Sequence, residues 1–413
     1  MTGKGVGMDN SNEHTVTNYS NVARIKVLGI GGGGGNAINN MIAAGLDGVE
    51  FIAANTDFQV LERNLAPVKI QLGMNLTRGL GAGGNPEVGQ KAAQEDVEKI
   101  RAALDGSDMV FITAGLGGGT GTGAAPVVAE VCKDIGALTV AVVTRPFPFE
   151  GKVRQRNAEE GLKTLQEVVD TFIAIPNSRL LGLADKRATM LEMFKRVDDV
   201  LFYAVKGISD LIIHPGHINL DFADLTAVMK EKGLALMGTG VGTGDNRATT
   251  AAQQAISSPL LEDISIHGAR AAIVNITGSE DLTLHEFDEV SSLISQQMDD
   301  EANIYLGMAL DPSVGNEVRV TVIATGIGQA EVQPQKREVP MRSARNNAEG
   351  IVPEINYDYL QIPTVVRHRG PREPAVQEAP QPARRRTFLQ KLTGSSKDDE
   401  DLSIPTFIRR QAD

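Results

Sequence analysis

From Ala23 onward, short apolar runs alternate with stretches of helical period. Arg24–Gly29 (RIKVLG) reads as a strand, followed by five glycines and a helix over Asn36–Ala44. Val49–Ala54 and Asp108–Ala114 read as two more strands, the second followed by glycines 117–119 and a helix through Cys132. Ala137–Val143 (ALTVAVV) is apolar throughout, as in a parallel strand covered on both faces. This alternation predicts an α/β fold, with an open, mostly parallel, Rossmann-like sheet that binds ligands at the carboxyl ends of its strands. A long helix follows over Met190–Ile213. Leu191, Phe194, Val197, Leu201, Val205, Ile208 and Ile212 mark one apolar face, and His214-Pro215-Gly216 stops it. A second block alternates strand (Leu234–Met237), helix (Ala248–Ile256), strand (Ala271–Ile276) and helix (Leu284–Gln297). Its last strands, Ile304–Ala309 and Glu317–Ala324, follow one another through a short turn, which predicts an α+β domain with a mixed sheet.

The pattern then breaks. Residues 331–400 hold eight of the 18 prolines, three of the 44 glycines, and 12 Lys/Arg against 10 Asp/Glu. The 413-residue chain is −12 overall, so an acidic body carries a slightly basic, Pro-rich segment that reads as a disordered linker. Apolar residues return in the last 13: Ile404, Pro405, Phe407 and Ile408, with Arg409 beside them, read from composition either as a peptide that docks on a partner or as no more than a sticky tail. Residues 1–22 read as a disordered leader without a secretory signal. The acidic charge and the 4% aromatic content argue against nucleic acid as a partner, and no apolar run is long enough to span a bilayer. A single cysteine excludes an internal disulfide and a multi-cysteine zinc site. The expected location is the cytoplasm.

Three glycine-rich loops carry the chemistry. The first, Gly29–Asn36, joins a strand to a helix, so its N–H groups can cradle phosphate. It also satisfies G-x-G-x-x-G, and Asp57 ends the next strand, so a dinucleotide-dependent oxidoreductase is a rival reading. The second loop, Gly115–Gly123, adds two threonines; two cradles suit a nucleoside triphosphate better than one pyrophosphate. The third, Gly79–Pro86, is placed to close over the terminal phosphate. Gly32, Gly33, Gly34, Gly35 and Asn36 of the first loop, Gly118, Gly119, Thr120 and Gly121 of the second, and Gly83 of the third are the phosphate candidates. The P-loop signature G-x-x-x-x-G-K-[ST] is absent.

The run GGGTGTG at 117–123 resembles the signature of the tubulin/FtsZ family of GTPases. The five-glycine loop, GLGAGGNPEVG at 79–89, NLDFAD at 219–224 and IPTFIRRQAD at 404–413 are similar to that family in the same order. The resemblance implies a self-assembling GTPase that forms head-to-tail filaments and a midcell division ring, with GTP/GDP and Mg²⁺ as cofactors. It implies that Glu150 and Arg154 contact ribose, that Phe194 and Asp199 contact guanine, and that Asn55 and Asn177 also bind nucleotide. Mg²⁺ would be held mainly through phosphates. Without the resemblance, Asp199 reads as an exposed partner of Lys195 and Phe194 as core. Asp198 stands where the family commonly has Asn, adding negative charge beside the base site.

Asp221 reads as a helix cap, with Asp224 in the first turn of a helix running to Met229. The resemblance adds a catalytic role for both acids and for Asn219, at the nucleotide of the next subunit. It also implies that residues 401–413 bind FtsA-like and ZipA-like membrane tethers and division regulators. The expected organisation is a leader (1–22), a GTP-binding domain (23–189), a central helix and catalytic loop (190–232), a C-terminal domain (233–330), a linker (331–400) and a docking peptide (401–413).

Overall fold

The computed structural model describes residues 23–182, 187–213, 220–230, 234–261 and 269–327. In chain order these form β1 (Ile25–Ile30), α1 (Gly31–Ala43), β2 (Val49–Asn55), α2 (Phe58–Glu62), β3 (Val68–Gln71), α3 (Met74–Thr77), α4 (Pro86–Glu95), α5 (Val97–Leu104), β4 (Met109–Gly115), α6 (Thr120–Asp134) and β5 (Leu138–Arg145). There follow α7 (Lys152–Val168), β6 (Thr171–Pro176), α8 (Asn177–Gly182), α9 (Met190–Ile213), α10 (Phe222–Met229), β7 (Leu234–Gly242), α11 (Arg247–Ile256), β8 (Ala271–Gly278), α12 (Leu284–Ser295), β9 (Asn303–Leu310) and β10 (Val318–Ile327). The predicted leader, linker and docking peptide lie outside the described residues, as does Asn219.

The strands form one sheet in the order β3-β2-β1-β4-β5-β6-β7-β10-β8-β9. The first six are parallel in the doubly wound order, so helices cover both faces. Although β1, β4 and β5 read as unbroken apolar runs, their side chains still alternate. Val27, Phe111 and Val140 pack toward α1 and α9, while Leu28, Ile112 and Ala141 face α5 and α6. The sheet continues into the second block through only two residue pairs, Phe172↔Leu234 and Ile173↔Ala235. There β10 runs antiparallel to both β7 and β8, and β8 pairs parallel with β9. The short connection between β9 and β10 is therefore not a hairpin. A third core fills the space between this half of the sheet and α11 and α12.

Two sequence expectations need correcting. The first helix begins at Gly31, five residues before the predicted Asn36. Glycine is disfavoured inside helices by about 1 kcal/mol, but packing overrides that here. A Cβ on Gly34 would lie 2.3 Å from the Thr113 carbonyl oxygen, so only glycine lets α1 settle this closely on β4. The apolar face of α9 is also not all core. Val197, Leu201, Val205 and Ile208 are buried, but Leu191 is 80% exposed and Phe194 42%, so the stripe leaves the core at the start of α9. Gly207, further along α9, packs against Thr321 of β10, and its carbonyl accepts from Asn275 Nδ2 at 3.0 Å.

Candidate nucleotide-binding site

Strand β1 turns directly into α1, and β4 leads into α6 through the four residues 116–119. Ile30 is extended and Gly31 has φ +72°, so the chain reverses within one residue and glycines 32–35 form the first turn of α1. After β4, Gly117 at φ +101° makes the equivalent reversal into α6. Neither helix has a side chain capping its N-terminus, and neither has an acid in its first turn. The N–H groups that a helix start leaves unpaired therefore remain available at two adjacent points. The two loops meet where a Cβ on Gly31 would lie 2.9 Å from Gly121 N.

These loops open on a cleft of about 370 Å³. Gly32, Gly33, Asn36, Gly118, Gly119, Thr120, Gly121, Glu150, Arg154, Asn177 and Phe194, all predicted, line it. At Gly32 and Gly118 a Cβ would meet nothing within 4 Å, so bare backbone faces open space there. Asn177, at the start of α8, is buried, and its Oδ1 has no hydrogen-bond partner among the described residues. A buried acceptor without a donor is disfavoured by about 1–3 kcal/mol, which a ligand N–H would relieve. Phe194 presents its exposed part to the cleft and rests edge-on against the buried Phe147, with ring centroids 5.5 Å apart. Glu150 accepts from Phe147 N at 2.9 Å and from Arg154 Nη1 at 2.6 Å, which ties two predicted ribose contacts together at the rim.

Five predicted residues stand outside the wall of the cleft. Gly34 is used in packing, and Gly35 lies against Asn64, whose Nδ2 donates to its carbonyl at 2.8 Å. Asn55 is buried and accepts from Asp57 N at 3.2 Å. Gly83 is exposed in the third glycine turn. That turn packs on the second loop, since a Cβ on Gly119 would meet the Ala82 methyl at 2.8 Å. Asp199 accepts from Asn40 Nδ2 of α1 at 3.1 Å and makes no ion pair with Lys195. Asp57, which the dinucleotide reading needs for a ribose, instead caps α2 through Gln59 N and Val60 N.

The sequence reading did not place Thr144, Val197 and Leu201 in the cleft; only the i, i+3, i+7 spacing from Phe194 hinted at the last two. Asp198 also lines the wall. Burial, reinforced by the neighbouring Asp199, pushes its carboxyl up to about 7. Thr122 is buried and accepts from Gly117 N at 2.8 Å, so it braces the second loop from behind.

The acids of the NLDFAD run are elsewhere. Asp221 caps α10 by accepting from Asp224 N at 2.7 Å, and both side chains are exposed. The start of α9 borders the cleft, whereas α10 follows its far end. A helix of 24 residues spans about 36 Å. Among the described residues no group of three or more His, Cys, Asp or Glu could hold a metal ion, and no helix is long and apolar enough to cross a membrane.

Residues 24–185 match the family model described as Tubulin/FtsZ family, GTPase domain, and residues 233–328 match FtsZ family, C-terminal domain. The chain is 47% identical over 410 residues to the cell division protein FtsZ of Pseudomonas aeruginosa, covering 96% of this chain and 99% of that one. With that of Coxiella burnetii it shares 49% over 392 residues, covering 94% and 96%. Among solved structures, an empty FtsZ dimer from M. jannaschii is 50% identical with TM-score 0.71, over 74% of this chain and 88% of that one. A GDP-bound monomer of CetZ1 from Haloferax volcanii is 20% identical with TM-score 0.65, over 75% and 96%, a likeness of fold.

Proposed function

This chain belongs to the tubulin/FtsZ family, and from that premise we propose how its cleft and its far end share one reaction. It is a self-associating GTPase of the cell-division cytoskeleton. In our reading GTP lies with its phosphates across the N-termini of α1 and α6, its ribose at Glu150 and Arg154, and its base beside Phe194. Asn177 and Asp199 serve the guanine edge. A carboxylate accepts from the two N–H groups that guanine presents there and adenine lacks, so ATP would forgo those bonds.

Hydrolysis falls to Asp221 and Asp224 of the next subunit, which orient and polarise the attacking water with Asn219. Two unit charges of like sign 4 Å apart repel by about 4 kcal/mol at an effective dielectric of 20. A site that carried these acids permanently would therefore bind the triphosphate poorly, and delivering them by assembly separates tight binding from turnover. Of the two carboxylates in the cleft wall Glu150 is paired with Arg154 and Asp198 stands at the base end, so the glycine loops would offer an accompanying Mg²⁺ only amides and the Thr120 hydroxyl, and the phosphates would hold it. When bound it neutralises charge on the transferring phosphoryl group. The head-to-tail contact is heterologous and builds open filaments, which form the division ring at midcell. Phe58, Met74 and Leu80, 52%, 52% and 80% exposed around the third glycine turn, suit such a contact. Residues 23–189 bind GTP, residues 190–232 supply the spacing helix and the catalytic loop, and residues 233–330 form the C-terminal domain. Residues 401–413 dock on FtsA-like and ZipA-like membrane tethers.

The observation that carries this reading is that the cleft at the two uncapped helix starts is lined by neither Asp221 nor Asp224, which stand at the start of α10, beyond α9 in the chain. The test is phosphate release from GTP against protein concentration, with light scattering on the same samples. Turnover per subunit is expected to rise above a threshold together with scattering. Asp224→Ala is expected to lose nearly all turnover while still binding GTP. Constant turnover per subunit without assembly would refute the shared site.

A further inference from the structure

We propose that Thr56 is a positioning residue that turns the Thr120 hydroxyl toward the phosphates; the inference rests on the nucleotide reading above. Thr56 follows β2, is fully buried, and has its Oγ1 2.6 Å from Thr120 Oγ1. Either oxygen could supply the proton of that bond, but the surroundings decide which one does. Among the described residues the Thr56 hydroxyl has no other partner, and its burial bars water. If Thr120 were the donor, the Thr56 proton would be buried without an acceptor, which folded proteins avoid. Thr120 has an alternative, because it is half-buried and lines the cleft. Thr56 therefore donates and Thr120 accepts. The Thr120 proton is left pointing at the cleft, and a hydroxyl that accepts one bond becomes a stronger donor in the next.

The position of Thr56 is itself fixed. Its carbonyl accepts from Gln71 Nε2 at 3.0 Å and from Gly81 N at 3.2 Å, so β3 and the third glycine turn both hold it. Thr120 stands at the junction of the two cradles, its Cβ 3.3 Å from where a Cβ on Gly31 would lie. The orientation is thus set from outside the loop that meets the ligand, by a residue that touches no ligand itself.

The test is equilibrium binding of GDP and of GTPγS to the full chain. Thr56→Val keeps the shape and removes the hydroxyl; it is expected to weaken both nucleotides about tenfold, the scale of one charge-assisted hydrogen bond. Thr56→Ser is expected to restore affinity to within about threefold. Thr56→Ala, which cannot overfill the site, gives the same loss if the valine variant does not fold. Thr120→Val is expected to lose a similar factor, and Thr56→Val added to it to lose no more, because both act through one hydroxyl. Wild-type affinity in Thr56→Val, or losses that multiply in the double variant, would overturn the proposal. Full affinity in Thr120→Val would remove the phosphate placement itself, a result distinct from failure of Thr56 alone.

Discussion

Replacing Asp198 by Asn probes the electrostatics at the base end of the cleft. The Asp198 carboxyl stands in the cleft wall, half-buried, and is pushed up to about 7 by burial and by Asp199. Against an ordinary aspartate near 3.9 the shift is about three units, or about 4 kcal/mol at 1.36 kcal/mol per unit. Part of the side chain reaches water, so screening brings the cost down to about 2 kcal/mol. The sign follows from proton binding. Between about pH 4 and pH 7 the folded chain holds a proton that the unfolded chain has lost, so stability falls as pH rises through that window and is level above it. An amide has no charge to bury. Asp198→Asn should therefore stabilise the nucleotide-free chain by about 2 kcal/mol near pH 8, and by only a few tenths near pH 4.5. Urea midpoints at the two pH values, read at equal m-values, measure the difference. The variant should also bind GDP more tightly near pH 8, with the gap closing as the wild-type carboxyl gains its proton. Arg154 and Glu150, the other charged groups of the wall, are paired with each other and do not offset it. An equal gain at both pH values, or none near pH 8, would refute the reasoning.

Two further contrasts test the structure. Gly34→Ala forces a methyl to 2.3 Å from a backbone carbonyl oxygen, so the thermal midpoint should fall steeply, whereas Gly32→Ala meets open space. The latter should leave the midpoint within a few degrees yet weaken GDP binding at least tenfold, as measured by calorimetry; equal loss of stability in both would disprove the distinction. Arg247, buried between α11 and α12, bonds Glu286 at 2.6 Å and Asp281 at 3.0 Å, and pulls the Glu286 carboxyl down to about 2. That stabilisation is present above the ordinary glutamate value and lost as pH falls from about 4.3 toward 2. Arg247→Met should flatten this part of the acid-unfolding curve, and an unchanged slope would show that the pair contributes nothing.

The strands β1, β2, β4 and β5 were legible to within one or two residues, because each is an apolar run bounded by turn residues. α9 was legible to the residue, because its stripe is long and ends at His-Pro-Gly. What the sequence hid is what packing decides. A helix that starts in glycine runs against propensity, and it forms because α1 must lie close on β4. The side chain of Asp57 is equally suited to a ribose and to a helix cap, and only the short α2 behind it settles which. The elements between Phe58 and Leu104 are too short or too polar for periodicity to separate from loop. In the cleft, the glycine loops announced themselves. Thr56 did not, since a threonine after a strand carries no signal until its neighbour 64 residues away is known.

The strand order has a consequence for synthesis. β10 lies between β7 and β8 but is the last strand of the sheet to be translated. Until it emerges, β7 and β8 each expose an unpaired edge, a template for pairing with another nascent chain. At roughly 5–20 residues per second, the stretch from the end of β7 to the start of β10 takes about four to fifteen seconds to make. For that interval a protein built to join copies of itself presents an edge on which such joining would be an error. The ribosome's pace sets how long that risk lasts.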